Sequence, residues 1–240
     1  MIAAPLPRAV VIATRVARFA AFKRVAASVA VVTVGAFGFA AAACAETWNF
    51  DVRLDGKPIG THRFTVDGPV DARDVTSIAA FDVKLLGITV FRYRHEARER
   101  WRGDCLQQIR SSTDDDGKPV KVDRRLESAA PGEPGNPGES DCLMSYAYWN
   151  PALVRQQRLL NPQTGEVDEV RIERLPDASL PAGGRDVDAS RWRITSTAPS
   201  TGKSAPARQV LTLWRDRADG RWIGLDAQVK GDRVLTYRLP

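Results

Sequence analysis

The stretch FRYRHEARERWR, Phe91 to Arg102, decides the fold class. Taken as an extended chain, one face carries Phe91, Tyr93, His95, Ala97, Glu99 and Trp101. The other carries Arg92, Arg94, Glu96, Arg98, Arg100 and Arg102. A period of two sorts apolar from charged positions in this way, and a helical period of 3.6 does not. At about 3.3 Å per residue such a strand runs roughly 40 Å, a length that belongs to strongly curved or barrel-like sheets.

The same alternation spreads outward. Trp48, Phe50, Val52 and Leu54 alternate with Asn49, Asp51 and Arg53, and Asp55-Gly56 supplies a hairpin turn. Ile59–Val66 and Val75–Leu86 follow as strands. Turns at Asp116-Gly117, Thr164-Gly165, Asp219-Gly220 and Gly231-Asp232 separate the runs Val167–Arg174, Arg191–Thr197, Gln209–Asp216, Arg221–Val229 and Val234–Leu239. A short helix is expected over Pro151–Leu159, between Asn150-Pro151 and Asn161-Pro162. Residues 176–188 and 198–207, rich in Gly, Pro and Ser, read as exposed connections. The expected fold is all-β: a single antiparallel, strongly curved sheet or open half-barrel of about 10–12 strands, with at most one or two short helices.

The chain has 240 residues and a net charge of +6, from 35 Lys and Arg against 29 Asp and Glu. Five of the basic residues (Arg8, Arg15, Arg18, Lys23, Arg24) and none of the acidic ones fall in residues 1–45, which leaves the body near neutrality. A nucleic-acid partner thereby loses its electrostatic basis. The basic segment leads into the uncharged run Val25–Ala45, which ends in Ala43-Cys44-Ala45, a small-x-small cleavage pattern. Residues 1–45 thus read as a secretory signal and 46–240 as one exported periplasmic β domain. An uncleaved anchor is disfavoured because nine of those 21 residues are Ala. Lipidation at Cys44 is the other alternative, although Ala41 stands where such sites carry Leu.

Removal of the signal leaves Cys105 and Cys142, which an oxidising compartment pairs into a disulfide. Closing that loop is worth roughly 3–4 kcal/mol through the unfolded chain. The loop encloses the segment APGEPGNPGES near 129–140, which can form neither helix nor central strand and reads as a mobile surface insertion.

Chemistry-bearing motifs are scarce. His-Glu-x-x-His, Gly-x-Ser-x-Gly, a phosphate-cradling loop and a dinucleotide fingerprint are all missing, so no catalytic residue, metal ligand or cofactor is assigned. His62 and His95 are the only histidines, and both alternate in register with inward apolar positions. Each is either a buried polar group satisfied by a neighbouring strand or part of a cavity that Glu99 also lines. The outward Arg residues are read as a salt-bridged solvent face in preference to a phosphate-binding one. Tyr146, Tyr148 and Trp149 follow Cys142, so the bridge brings them toward Trp101 as core packing or as an aromatic lip.

At the stretches WRGDCL (Trp101–Leu106), AYWNP (Ala147–Pro151) and LNPQTG (Leu160–Gly165) the chain resembles an uncharacterised exported family of Gram-negative bacteria, catalogued only as a domain of unknown function. The resemblance covers essentially all of residues 46–240. Its wider neighbourhood implies open antiparallel half-barrels similar to the periplasmic carriers that move lipoproteins, and it implies no catalytic residues. The leading functional expectation is a lipid-like, apolar or amphipathic ligand held in the concave sheet, with His62, Phe81, Tyr93, His95, Glu99, Trp101 and Trp149 as ligand-binding residues. The alternative is a structural or assembly partner at the cell envelope, touching the membrane only transiently. A hydrolase using His95 stands third. A carrier requires an open interior cavity, an assembly partner a filled interior with an uncovered edge, and a hydrolase a hydroxyl or carboxylate in reach of His95.

Overall fold

Alternation over so much of the chain leaves every strand one apolar face to bury, and a single sheet buries it by curling on itself. The structure, a computed structural model, describes residues 45–126, 142–197, 209–229 and 231–240. The expected signal segment, the expected insertion near 129–140 and the connection 198–207 lie outside the described residues, save Ala45.

The strands are β1 (Glu46–Leu54), β2 (Lys57–Asp67), β3 (Arg73–Leu85), β4 (Ile88–Arg102), β5 (Cys105–Asp115) and β6 (Pro119–Arg125). Then come β7 (Met144–Ser145), β8 (Arg158–Leu160), β9 (Val167–Ala182), β10 (Arg185–Thr197), β11 (Val210–Asp216), β12 (Trp222–Val229) and β13 (Arg233–Arg238). They form one sheet in the order β6-β5-β4-β3-β2-β1-β13-β12-β11-β10-β9-β8-β7. The pairing of β1 with β13, Val52 opposite Tyr237, joins the two halves. All pairs are antiparallel except β7 with β8. The expected helix is one 3-10 turn, Pro151–Arg155, capped by the Asn150 side chain, and strand resumes at Arg158.

The two ends of the sheet meet without a ladder. The Leu106 N–H donates to the Leu143 carbonyl at 2.9 Å, and Cys105 is bonded to Cys142. Ser111 Oγ reaches the Pro162 carbonyl at 2.5 Å, and Arg124 Nη1 reaches that of Gly165 at 2.6 Å. The disulfide therefore ties one half of an unclosed barrel to the other. Trp222 sits at the centre of the interior, fully buried, with Phe50 at 4.3 Å and Phe64 at 4.9 Å between ring centroids. Gly60 lets β2 and β3 approach: a Cβ there would lie 1.9 Å from the Ala80 carbonyl oxygen.

Residues 176–188 correct the sequence reading. They belong to the hairpin of β9 and β10, turned at Gly183-Gly184, and not to an exposed connection. A bulge sets Pro176 and Asp177 opposite Ser190, which is how a strand accommodates a proline. The distal hairpin then bends over the outer face of β11 to β13. Leu180, Ala182, Val187 and Ala189 pack with Trp214 and Ile223 into a second, smaller apolar cluster. Its composition resembles a loop because only one short face is apolar.

Four of the five outward arginines of β4 are paired as expected. Arg92 and Arg94 both reach Asp82, at 3.2 and 2.8 Å, while Arg98 reaches Glu96 at 3.0 Å and Arg100 reaches Asp74 at 3.7 Å.

Candidate functional site

Alternation along β2, β3 and β4 turns all the singled-out residues of those strands inward. The structure sorts them into two groups. His62 stacks on Phe64 at 4.1 Å and lies 6.3 Å from Phe81 and 5.7 Å from Tyr237. Phe81 stacks on Tyr93 at 5.3 Å, and Tyr93 faces His95 at 6.3 Å. Below this aromatic row lies an acidic group. The Trp101 indole N–H donates to Glu99 Oε2 at 2.9 Å, Ser145 also bonds Glu99, and Trp101 meets Trp149 edge-on at 5.3 Å. Arg73 lies over the Trp149 ring, 5.3 Å from its centroid.

Each histidine has a hydroxyl partner. His62 Nε2 and Ser77 Oγ share a hydrogen bond of 2.7 Å, and His95 Nδ1 and Thr113 Oγ1 share one of 2.9 Å. Burial holds both rings neutral, lowering His62 to about 3, with His95 adding to the effect, and His95 to about 4. A neutral imidazole beside a hydroxyl has the reach of a general base. The third member that would orient it is missing for His62, whose Nδ1 has no partner.

Glu99 is the most perturbed carboxyl. Burial raises it to about 7, against the opposing hydrogen bonds from Ser145 and Trp101. Tyr146 donates to Asp168 Oδ2 at 2.8 Å, and burial pushes the hydroxyls of Tyr93, Tyr146, Tyr148 and Tyr237 upward, so all four stay protonated donors.

One small cavity lies beside Glu99, and His62, Phe81, Tyr93, His95 and Trp101 do not line it. Glu99, Ser77, Ser145, Tyr146 and Trp149, with Phe64, Val75 and Pro162, line a cavity of about 30 Å³. That admits one or two waters, whereas small-molecule pockets measure roughly 300–1,000 Å³. Tyr146, Tyr148 and Trp149, read from sequence as packing or as a lip, occupy the interior as packing. Among the described residues no three His, Cys, Asp or Glu side chains gather to hold a metal ion.

Three contributors escaped the sequence reading. Ser77 was legible in principle, since it takes an inward place between Val75 and Ala79. Ser145 lies in a two-residue strand with too little pattern to read. Arg215 is 3% exposed and donates to the carbonyls of Tyr148, Asn150 and Gly220 at 2.7, 2.8 and 3.0 Å. The bulge between Trp214 and Arg215 turns it inward, and no local signal marks that. Burial lowers it to about 10, so it remains a cation, solvated by these carbonyl dipoles.

A larger opening lies on the outside. Val154 to Arg158 and Glu169 to Ile172 border an open groove of about 610 Å³. It exists because the 3-10 turn delays the start of β8 to Arg158: β8 pairs with β9 only as far as Glu169, and a last bond runs from the Val170 N–H to the Gln157 carbonyl. By strand alternation the next backbone groups on that side, those of Ile172 and Arg174, point into the opening.

The comparisons fit this architecture. The structure of a beta-barrel-like protein of a domain of unknown function, DUF1849, from Brucella abortus is similar to this chain at a TM-score of 0.54 and 12% identity, over 81% of this chain and 94% of that one. At that identity the likeness concerns the fold alone. The comparison with curated proteins gives no match. The family described as domain of unknown function DUF6134 matches residues 50–239, nearly the whole described sheet, and the chain belongs to that family.

Proposed function

We propose that the protein is an exported docking module of the cell envelope, which binds an extended, acidic segment of a partner protein along the open edge of β9. One observation carries this reading: the cavity beside Glu99 holds a water or two, while the outer groove beside β9 measures about 610 Å³. Working surface in a filled barrel is outer surface. Backbone N–H and C=O groups at Ile172 and Arg174 can add a strand, and Val154, Val170 and Ile172 give its side chains an apolar floor. Arg155 and Arg158 are exposed on the rim, where Glu169 is the one carboxylate of the lining, and the two cations favour an acidic segment. Pro176 ends the usable edge. Export rests on the basic, apolar, small-residue order of residues 1–45 and agrees with the Cys105–Cys142 bond.

The test is selection of random peptides on the immobilised protein. Acidic peptides with alternating apolar residues should be enriched. Their binding should fall with Arg155→Glu plus Arg158→Glu and with Ile172→Pro, which deletes an edge N–H without touching the β10 ladder. Binding that ignores all three changes overturns the site. A discrete small molecule released from the purified protein on denaturation would return the function to the interior.

A further inference from the structure

The hairpin of β3 and β4 outruns its neighbours. β2 accompanies β3 only as far as Phe81, and β5 accompanies β4 only as far as Tyr93, with one more bond from the Asp116 N–H to the Arg92 carbonyl. Residues 82–91 therefore pair with one another alone. This ribbon exposes Leu85 at 63%, Leu86 at 94%, Ile88 at 70% and Val90 at 52%. Single exposed apolar residues are ordinary, but four on one tip are not.

The turn chemistry points the same way. Among the described residues four non-glycine residues adopt positive φ: Asp55, Asp116, Asp232 and Leu86. Three are the short polar type that tolerates that conformation. Leu86, at φ 50°, is a branched apolar side chain placed at the apex against its backbone preference. Such a choice persists where the side chain has a use.

We propose that this tip inserts into the interfacial layer of an anionic lipid bilayer. Strand alternation places Val83, Leu85, Ile88 and Phe91 on one face of the ribbon and Lys84 and Thr89 on the other, with Leu86 between them at the apex. An apolar face backed by a polar one fits a membrane surface, where it sinks to the headgroup boundary. Charge complementarity selects the lipid: Lys84 is the one ionisable residue from Val83 to Phe91, and a cation there meets phosphate oxygens. The Arg92–Asp82 pair at 3.2 Å marks the base of the ribbon, where water resumes. Two further exposed residues, Val229 at 38% and Val234 at 40%, flank the β12–β13 turn, at the same end of the sheet as the β1–β2 turn that Asp55 bonds to Val234. A two-strand projection offers a protein partner little area, whereas a fluid layer closes around it. This inference concerns a different surface from the β9 groove and stands without it.

The test is co-sedimentation of the full protein, as its host makes it, with vesicles of phosphatidylglycerol in phosphatidylethanolamine and with phosphatidylcholine vesicles. Leu86→Asn combined with Ile88→Thr should lower binding to the anionic vesicles by about tenfold or more, with the melting temperature unchanged or raised because Asn tolerates the turn. Lys84→Glu should weaken binding to the anionic vesicles and leave the neutral ones unaffected. Binding that is absent in the wild type, or equal in the wild type and the double variant, overturns the proposal. So does a change in the protein's own oligomeric state caused by the double variant, which would assign the tip to a second copy.

Discussion

Two hairpins in this sheet run beyond the strands that flank them, and they end differently. The distal part of β9–β10 bends at a bulge and lies on the outer face of β11 to β13, where Leu180 is 3% exposed. Gly224 makes room for it, since a Cβ there would stand 2.8 Å from Leu180 Cδ2, and the Gly183 N–H closes the contact on the Leu239 carbonyl at 3.3 Å. The tip of β3–β4 also carries apolar residues and a bulge, at Val90, yet it stays exposed among the described residues. Apolar content alone therefore does not decide whether a ribbon is core. An apposed face with space left for it decides.

Opposite substitutions at the two tips probe this difference most strongly. Leu180→Asp buries an unpaired charge and should cost more than about 4 kcal/mol or prevent folding. Leu85→Asp, already in water, should cost under about 0.5 kcal/mol. Denaturant unfolding of both variants measures the contrast, and comparable losses would mean that the β3–β4 tip is also covered.

Next in size is the bridge that holds the two halves of the sheet together. Replacing Cys105 and Cys142 by Ala should lower stability by roughly 3–4 kcal/mol, read from the urea midpoint. A negligible change would show that the contacts of Leu106, Ser111 and Arg124 with the opposite half suffice on their own.

The stem of the projecting hairpin carries a pH dependence. Glu99 is raised to about 7 when folded, against 4.5 ordinarily, so between those values the folded protein keeps a proton that the unfolded chain gives up. Its contribution is present below pH 4.5 and lost as the pH rises through about 7. His62 and His95 run the other way. Held neutral, they lose stability as the pH falls below 6.5, where the unfolded chain takes up protons. Glu99→Gln should thus gain on the wild type by roughly 2.5 kcal/mol more at about pH 8 than at about pH 5. Equal differences at the two pH values would place Glu99 in contact with water.

The smallest effect returns to the tip. Leu86→Asn should stabilise the protein by up to about 1 kcal/mol, because Asn relieves a left-handed backbone that Leu resists. Calorimetric melting checks the sign, and destabilisation would reveal a packing role for Leu86.

Much of the architecture was legible. Phe91–Arg102 declares its strand, its inward face and its paired arginines, since each is a property of neighbours two residues apart. The turns at Asp55-Gly56 and Gly231-Asp232 declare themselves through residues that accept positive φ. The inward set His62, Phe81, Tyr93, His95, Glu99 and Trp101 follows from the same parity, and the structure buries or half-buries every one. What parity cannot give is how much space those residues leave. That depends on Tyr146, Tyr148 and Trp149 filling the interior from a segment with almost no strand pattern of its own.

The sequence by itself determined the all-β class, most of the hairpin turns and the inward face of β1 to β4, because period two and turn chemistry act over a few residues. Only the tertiary structure decided that β1 lies beside β13, that Arg215 is buried on three carbonyls, that one long hairpin folds over while the other projects, and that β9 keeps an open edge. These depend on contacts between residues up to 187 apart, such as Asp51 opposite Arg238, and on bulges that reverse parity at single points. No local pattern encodes either.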